Sequence, residues 1–138
     1  MRKKTIIAGC AMIGLFLLAI STSFAFDFRD RLDQPPAPRL LSPRTEEVVL
    51  TGKEAMEFRW QNEDFFRTRA FEFRLYKGYA MIEGNLIFKQ RLEAAKSSLF
   101  IKAVLFEDGQ VYTWSLRRIS FGGEKSDPSF ESFRIIKK

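Results

Sequence analysis

Beyond residue 38 the chain alternates large apolar and charged residues with a period of two, in short stretches that recur along its length. In Met56-Glu57-Phe58-Arg59-Trp60, Met56, Phe58 and Trp60 fall on one side of an extended strand, and Glu57 and Arg59 fall on the other. Phe71-Glu72-Phe73-Arg74-Leu75 repeats the pattern. A helix would scatter these rings around its axis instead of gathering them into one stripe. The same reading predicts strands at 39–42, closed by Pro43, at 86–92 after Gly84-Asn85, at 99–105 and at 111–119, with a last one at 133–135. Leu99, Ile101, Ala103 and Leu105 point inward in the fifth, and Tyr112, Trp114 and Leu116 in the sixth. Residues 91–97 carry some helix propensity but are too few for a stable helix, so they read as a turn or a single helical turn.

Seven short antiparallel strands in about 100 residues, each with one apolar face, predict an all-β, two-layer sandwich. Trp60 and Trp114 are large enough to span sheets ~10 Å apart, and each indole N–H needs a partner if buried. Gly109 supplies the positive φ that a turn after Asp108 requires. Tyr112, two residues before an inward Trp, is placed to turn its hydroxyl back onto the backbone of residues 106–108, as in a tyrosine corner. The passage Leu105-Phe106-Glu107-Asp108-Gly109-Gln110-Val111-Tyr112-Thr113-Trp114-Ser115-Leu116 resembles a strand-to-strand passage of fibronectin type III-like domains. Phe58-x-Trp60 is similar to their second strand, and Leu41-Ser42-Pro43 to their first strand and its exit. The resemblance covers most of residues 38–136 and implies a seven-stranded antiparallel β-sandwich whose shared residues are scaffold. No Arg-Gly-Asp occurs, so it does not imply cell adhesion.

The N-terminus has a different character. Met1-Arg2-Lys3-Lys4 is basic, and no charge follows until Asp27. With an apolar centre at 6–20 and Ser23-Phe24-Ala25 at its end, this is the pattern of an export signal cut after Ala25. A stretch of that length also suits an uncleaved membrane anchor. Ile7-Ala8-Gly9-Cys10 is a weak lipobox, preceded by too short an apolar run. The division expected is therefore 1–25 signal peptide or membrane anchor, 26–38 Pro-rich linker and 39–138 sandwich, in a protein exported to the periplasm or beyond the cell. Gln34-Pro35-Pro36-Ala37-Pro38 favours extended polyproline II. Removing residues 1–25 takes away three of the 23 basic residues and none of the 17 acidic ones, so +6 becomes +3. Charge so mixed in sign, in an exported domain, does not suggest nucleic acid as a partner. A bilayer enters only through the N-terminal segment, if that segment is kept.

Histidine is absent, and Cys10 is the one cysteine. Imidazole-dependent nucleophilic catalysis, disulfide frameworks and Cys/His metal sites are excluded together. The adjacent acids Glu46-Glu47, Glu63-Asp64 and Glu107-Asp108 are the only paired carboxylates; in a strand such neighbours point apart, and in a turn they are solvated. Neither a calcium loop nor a phosphate-binding glycine loop can be built from Glu107-Asp108-Gly109 or Gly122-Gly123. The expectation is a protein that is not an enzyme and takes no cofactor or metal.

Two surfaces remain. If the third, fourth, sixth and seventh predicted strands share a sheet, Arg74, Tyr76, Lys89, Arg91, Arg117 and Arg134 stand on its outer face beside Glu72, as a candidate partner-binding face. Phe65, Phe66, Tyr76, Tyr79, Phe100, Phe106 and Phe121 fall at outward or loop positions, and Phe65, Phe66 and Tyr79 form a candidate set of aromatic loop contacts. Both suit an exported binding or assembly module of the cell envelope, whose partner is an envelope protein or, alternatively, an anionic glycan. A row of Tyr76, Tyr79 and a Phe would mark a carbohydrate-binding module.

Overall fold

The computed structural model describes residues 34–63 and 65–138, without the side chain of Phe65. The expected signal or anchor at 1–25 and most of the expected linker lie outside the described residues. Eight strands form two sheets: β1 (Leu40–Ser42), β2 (Glu47–Val49), β3 (Ala55–Trp60), β4 (Thr68–Lys77), β5 (Leu86–Glu93), β6 (Ser98–Lys102), β7 (Val111–Ser120) and β8 (Ser129–Ile136). One sheet runs β1-β3-β6 and the other β2-β8-β7-β4-β5. This is a fibronectin type III-like sandwich, as the period-two pattern and the resemblance implied. The four strands expected to share a sheet do so, as β4, β5, β7 and β8.

The core follows from the alternation. Phe58 packs its ring at 5.1 Å from both Phe73 and Trp114, with Phe133 at 6.0 Å, so the two sheets meet ring against ring. Met56, Trp60, Phe71, Leu75, Leu116 and Ile135 complete the layer, all buried. The indoles find their partners across the molecule: Trp60 Nε1 donates to the Lys96 carbonyl at 3.0 Å, and Trp114 Nε1 to the Pro43 carbonyl at 3.3 Å. Gly109 has φ 76° and its N–H donates to the Ile135 carbonyl, tying the β6–β7 turn to β8. The Tyr112 hydroxyl accepts the Glu107 N–H at 2.8 Å, which is the expected corner.

Three expectations need correction. An eighth strand exists: β2 runs parallel to β8, held by Arg134 N–H to the Glu46 carbonyl at 2.7 Å and Leu50 N–H to the Ile136 carbonyl at 2.9 Å. Three residues with only Val48 partly buried carry no periodic signal, because the strand is made by its ladder and not by its own pattern. The predicted strand at 99–105 stops at Lys102, where a 3-10 turn over Ala103–Leu105 begins. That turn changes the stride, so Phe106 enters the core and Leu105 faces out. Pro38, at the end of the expected linker, is buried and its carbonyl accepts the Ser129 hydroxyl. The turn expected over 91–97 is narrower, since β5 continues through Glu93 before Lys96 N–H closes onto the Glu93 carbonyl at 3.0 Å.

Candidate functional site

The outer face of the five-stranded sheet is built by the residues that alternate with the core. On β4 these are Glu72, Arg74 and Tyr76, alternating with Phe71, Phe73 and Leu75. Register then fixes their neighbours: Glu72 lies between Arg91 of β5 and Arg117 of β7, and Arg74 lies between Lys89 of β5 and Ser115 of β7. Adjacent strands are ~4.8 Å apart, so these cations crowd one small area. Lys125, from the connection between β7 and β8, adds a fifth cation by reaching Glu72 Oε2 at 2.8 Å.

Glu72 is the centre of the cluster. Its side chain is only 8% exposed, and Arg74 Nε bonds its Oε1 at 2.8 Å while Lys125 holds the other oxygen. Burial alone would raise the carboxyl. The hydrogen bond from Lys125 and the charges of Arg74, Lys125 and Lys89 outweigh burial, and the carboxyl sits below its ordinary value. The Arg74 guanidinium is raised, first through a hydrogen bond with the Tyr76 side chain, against the cost of burial and with the Glu72 charge assisting. Arg74 NH1 also approaches Glu83 Oε1 at 3.4 Å. Among the described residues, Lys89, Arg91 and Arg117 close no ion pair, and Lys89 and Arg91 are exposed. Beneath them Thr113 and Ser115 are buried, so the face is a shallow polar floor with cations above it.

The sequence-predicted residues divide accordingly. Arg74, Lys89, Arg91 and Arg117 come together. Tyr76 is on the same face but only 4% exposed, so it braces Arg74 and offers no ring to a partner. Arg134 stands beside Val111 and Glu47, six residues along β7 from Arg117, about 20 Å away, and bonds the Gly109 carbonyl at 2.8 Å. The aromatic loop set is also split. Phe66, in the turn Phe65–Arg67 before β4, is 64% exposed, and Tyr79 is 71% exposed just beyond its other end. The ten residues of β4 hold them roughly 30 Å apart. Phe100 and Phe121 are exposed, whereas Phe106 is buried against Tyr112 at 5.1 Å, so it was wrongly placed outward. Tyr76, Tyr79 and a Phe therefore make no row on which a sugar could stack.

Two charged residues escaped sequence reasoning. Lys125 lies in a loop without period, and only its contact with Glu72 reveals it. Arg118 follows the inward parity of Leu116: it is buried, lies over the Phe71 ring at 5.9 Å, and donates from NH1 to the Glu63 carbonyl at 2.9 Å. A charged side chain at an inward position was readable from the parity of β7, and it closes one end of the core.

No protein-family model matches the sequence, and no curated protein matches it. Solved structures do. The fibronectin(III)-like modules of Clostridium thermocellum CbhA share 17% identity over 72% of this chain and 96% of theirs, with TM-score 0.49. The Clostridium perfringens spore cortex lytic enzyme SleM shares 12% identity over 72% of this chain and 28% of its own, with TM-score 0.52. The third fibronectin III domain of human KIAA0343 protein shares 13% identity over 77% of this chain and 89% of that one, with TM-score 0.47. At these identities the likeness is one of fold alone.

Proposed function

We propose that this is an exported, non-catalytic binding or assembly module of the cell envelope that docks on a partner protein through the outer face of the five-stranded sheet. The observation that carries the reading is the gathering of Arg74, Lys89, Arg91, Arg117 and Lys125 around the buried carboxylate of Glu72. One carboxylate neutralises one of five cations, and Glu83 reaches only Arg74, so the surplus faces outward. Arginine at a sheet centre suits protein contact, because its flat guanidinium forms paired hydrogen bonds with carboxylates. Arg74 itself is a poor contact residue: at 24% exposure and bonded to Glu72, it holds the face together. Contact falls to Lys89, Arg91 and Arg117.

The test is neutralisation of cations that close no ion pair with Glu72. Lys89→Gln with Arg117→Gln should lower the melting temperature by no more than about 5 °C, since Lys89 is exposed and Arg117 half-buried and both only neighbour Glu72, and should lower the salt at which envelope proteins elute from the immobilised chain. Recovery of the same proteins at the same salt resistance would remove this face from the proposal.

A further inference from the structure

We propose that the partner engages this face as an extended acidic strand added to the open edge of β5; this rests on the reading of the cationic face given above. β5 ends the five-stranded sheet and is eight residues long, against three to five for β1, β2 and β6, the other edges among the described residues. The hydrogen-bond pattern shows which of its groups are unspent. Gly78 N–H donates to the Val111 carbonyl at 2.8 Å, which sets the even-numbered residues of β4 to bond β7. The odd ones, Phe71, Phe73 and Leu75, therefore bond β5 through their partners Leu92, Gln90 and Phe88. Lys89 and Arg91 are left with their backbone N–H and C=O directed at the open edge.

These are the same two residues whose cationic side chains stand on the outer face. A strand laid along β5 would pair its backbone with Lys89 and Arg91, and the side chains opposite them would lie ~5 Å away on the outer face. Acidic residues there meet charge with charge. The alternate side chains would turn to the inner face beside Phe88, which packs on Phe73 at 5.9 Å, and apolar residues fit there. The occupant is thus a segment alternating acidic and apolar residues. A second copy of this chain is a poor occupant, because antiparallel pairing of two β5 edges sets Lys89 and Arg91 against themselves. Basic residues on an edge strand guard against self-pairing, and here they also select for the opposite charge.

The probe is an end-capped, dye-labelled eight-residue peptide alternating glutamate and valine, titrated by fluorescence anisotropy against the full chain in detergent micelles. Binding is expected for this peptide, weakening as salt rises, and not for its lysine–valine counterpart. Lys89→Glu with Arg91→Glu should weaken it by about tenfold or more, the sum of two exposed ion pairs. N-methylation separates strand addition from charge alone. The glutamate N–H groups face β5 in the proposed pairing, so methylating the glutamates should abolish binding, and methylating the valines should leave it intact. Equal binding by both methylated forms overturns strand addition and leaves the cationic face standing. If neither the peptide nor dextran sulfate binds, both readings fail.

Discussion

Replacing Tyr112 by Phe removes one oxygen and with it the hydrogen bond that closes the β6–β7 turn. The hydroxyl accepts the Glu107 N–H at 2.8 Å across the β6–β7 turn. The ring keeps its place, edge-on to Phe106 at 5.1 Å and stacked near Phe133 at 6.1 Å, so no cavity opens and the transfer energy is unchanged. What is lost is one net hydrogen bond, ~0.5–1.5 kcal/mol, plus whatever it costs to leave the Glu107 amide without its acceptor. That amide is only partly buried and Glu107 is at the surface, so water takes over part of the role and the penalty stays low. The expected destabilisation is about 1 kcal/mol, or roughly 5 °C in melting temperature for a domain of this size. Urea melts should show a lower midpoint at equal slope, and hydrogen exchange should speed up at the Glu107 amide more than at its neighbours. A loss under ~0.3 kcal/mol with Glu107 exchange unchanged would refute the corner as a stabilising element.

Trp60→Ala and Trp114→Ala should each cost ~3–5 kcal/mol in denaturant melts, because both indoles are fully buried between the sheets. Gly109→Ala should cost about 1 kcal/mol in the same assay, since φ 76° strains any side chain, and a neutral result would mean the turn adapts. Glu72→Gln should destabilise by ~1–2 kcal/mol at neutral pH, the loss of a nearly buried carboxylate with two charged partners that are themselves partly in water. The folded carboxyl lies below its ordinary value of 4.5, so its contribution is complete above that pH and is lost as pH falls through the folded value. Stability curves of wild type and Glu72→Gln should converge in acid; parallel curves down to pH ~2 would contradict the ion-pair assignment.

Most of the sandwich was legible because its strands carry their own pattern. Phe58, Trp60, Phe71 and Phe73 are bulky, alternate with charge and are buried, and Tyr112 and Trp114 alternate with small or polar residues and are buried as well. Where a strand is made by its neighbours, the pattern is silent: β2 exists because Glu46 and Leu50 meet β8, and its own Glu47-Val48-Val49 could equally be loop. The break at Ala103 was hidden for a related reason. Apolar residues at 99, 101, 103 and 105 continue the strand period, and nothing local distinguishes a two-residue stride from a 3-10 turn until Phe106 competes with Leu105 for the core.

The cationic face was legible in part, and the reason lies in what period two can and cannot report. Parity says which face a side chain leaves from, so Arg74, Lys89, Arg91 and Arg117 were correctly gathered once their strands shared a sheet. Parity says nothing of position along the strand, and Arg134 was included although it stands at the far end of β7. Nor does it report exposure on an outer face. Tyr76, Thr113 and Ser115 stand on the outer parity and are nonetheless buried. Glu72 is buried on the same face: with its two oxygens bonded by Arg74 and Lys125 and with Lys89 nearby, the carboxyl is held below its ordinary value against the cost of burial. Once Arg74 and Lys125 are committed to Glu72, the charge left for a partner is carried by Lys89, Arg91 and Arg117, two of them on β5, the longest edge strand among the described residues.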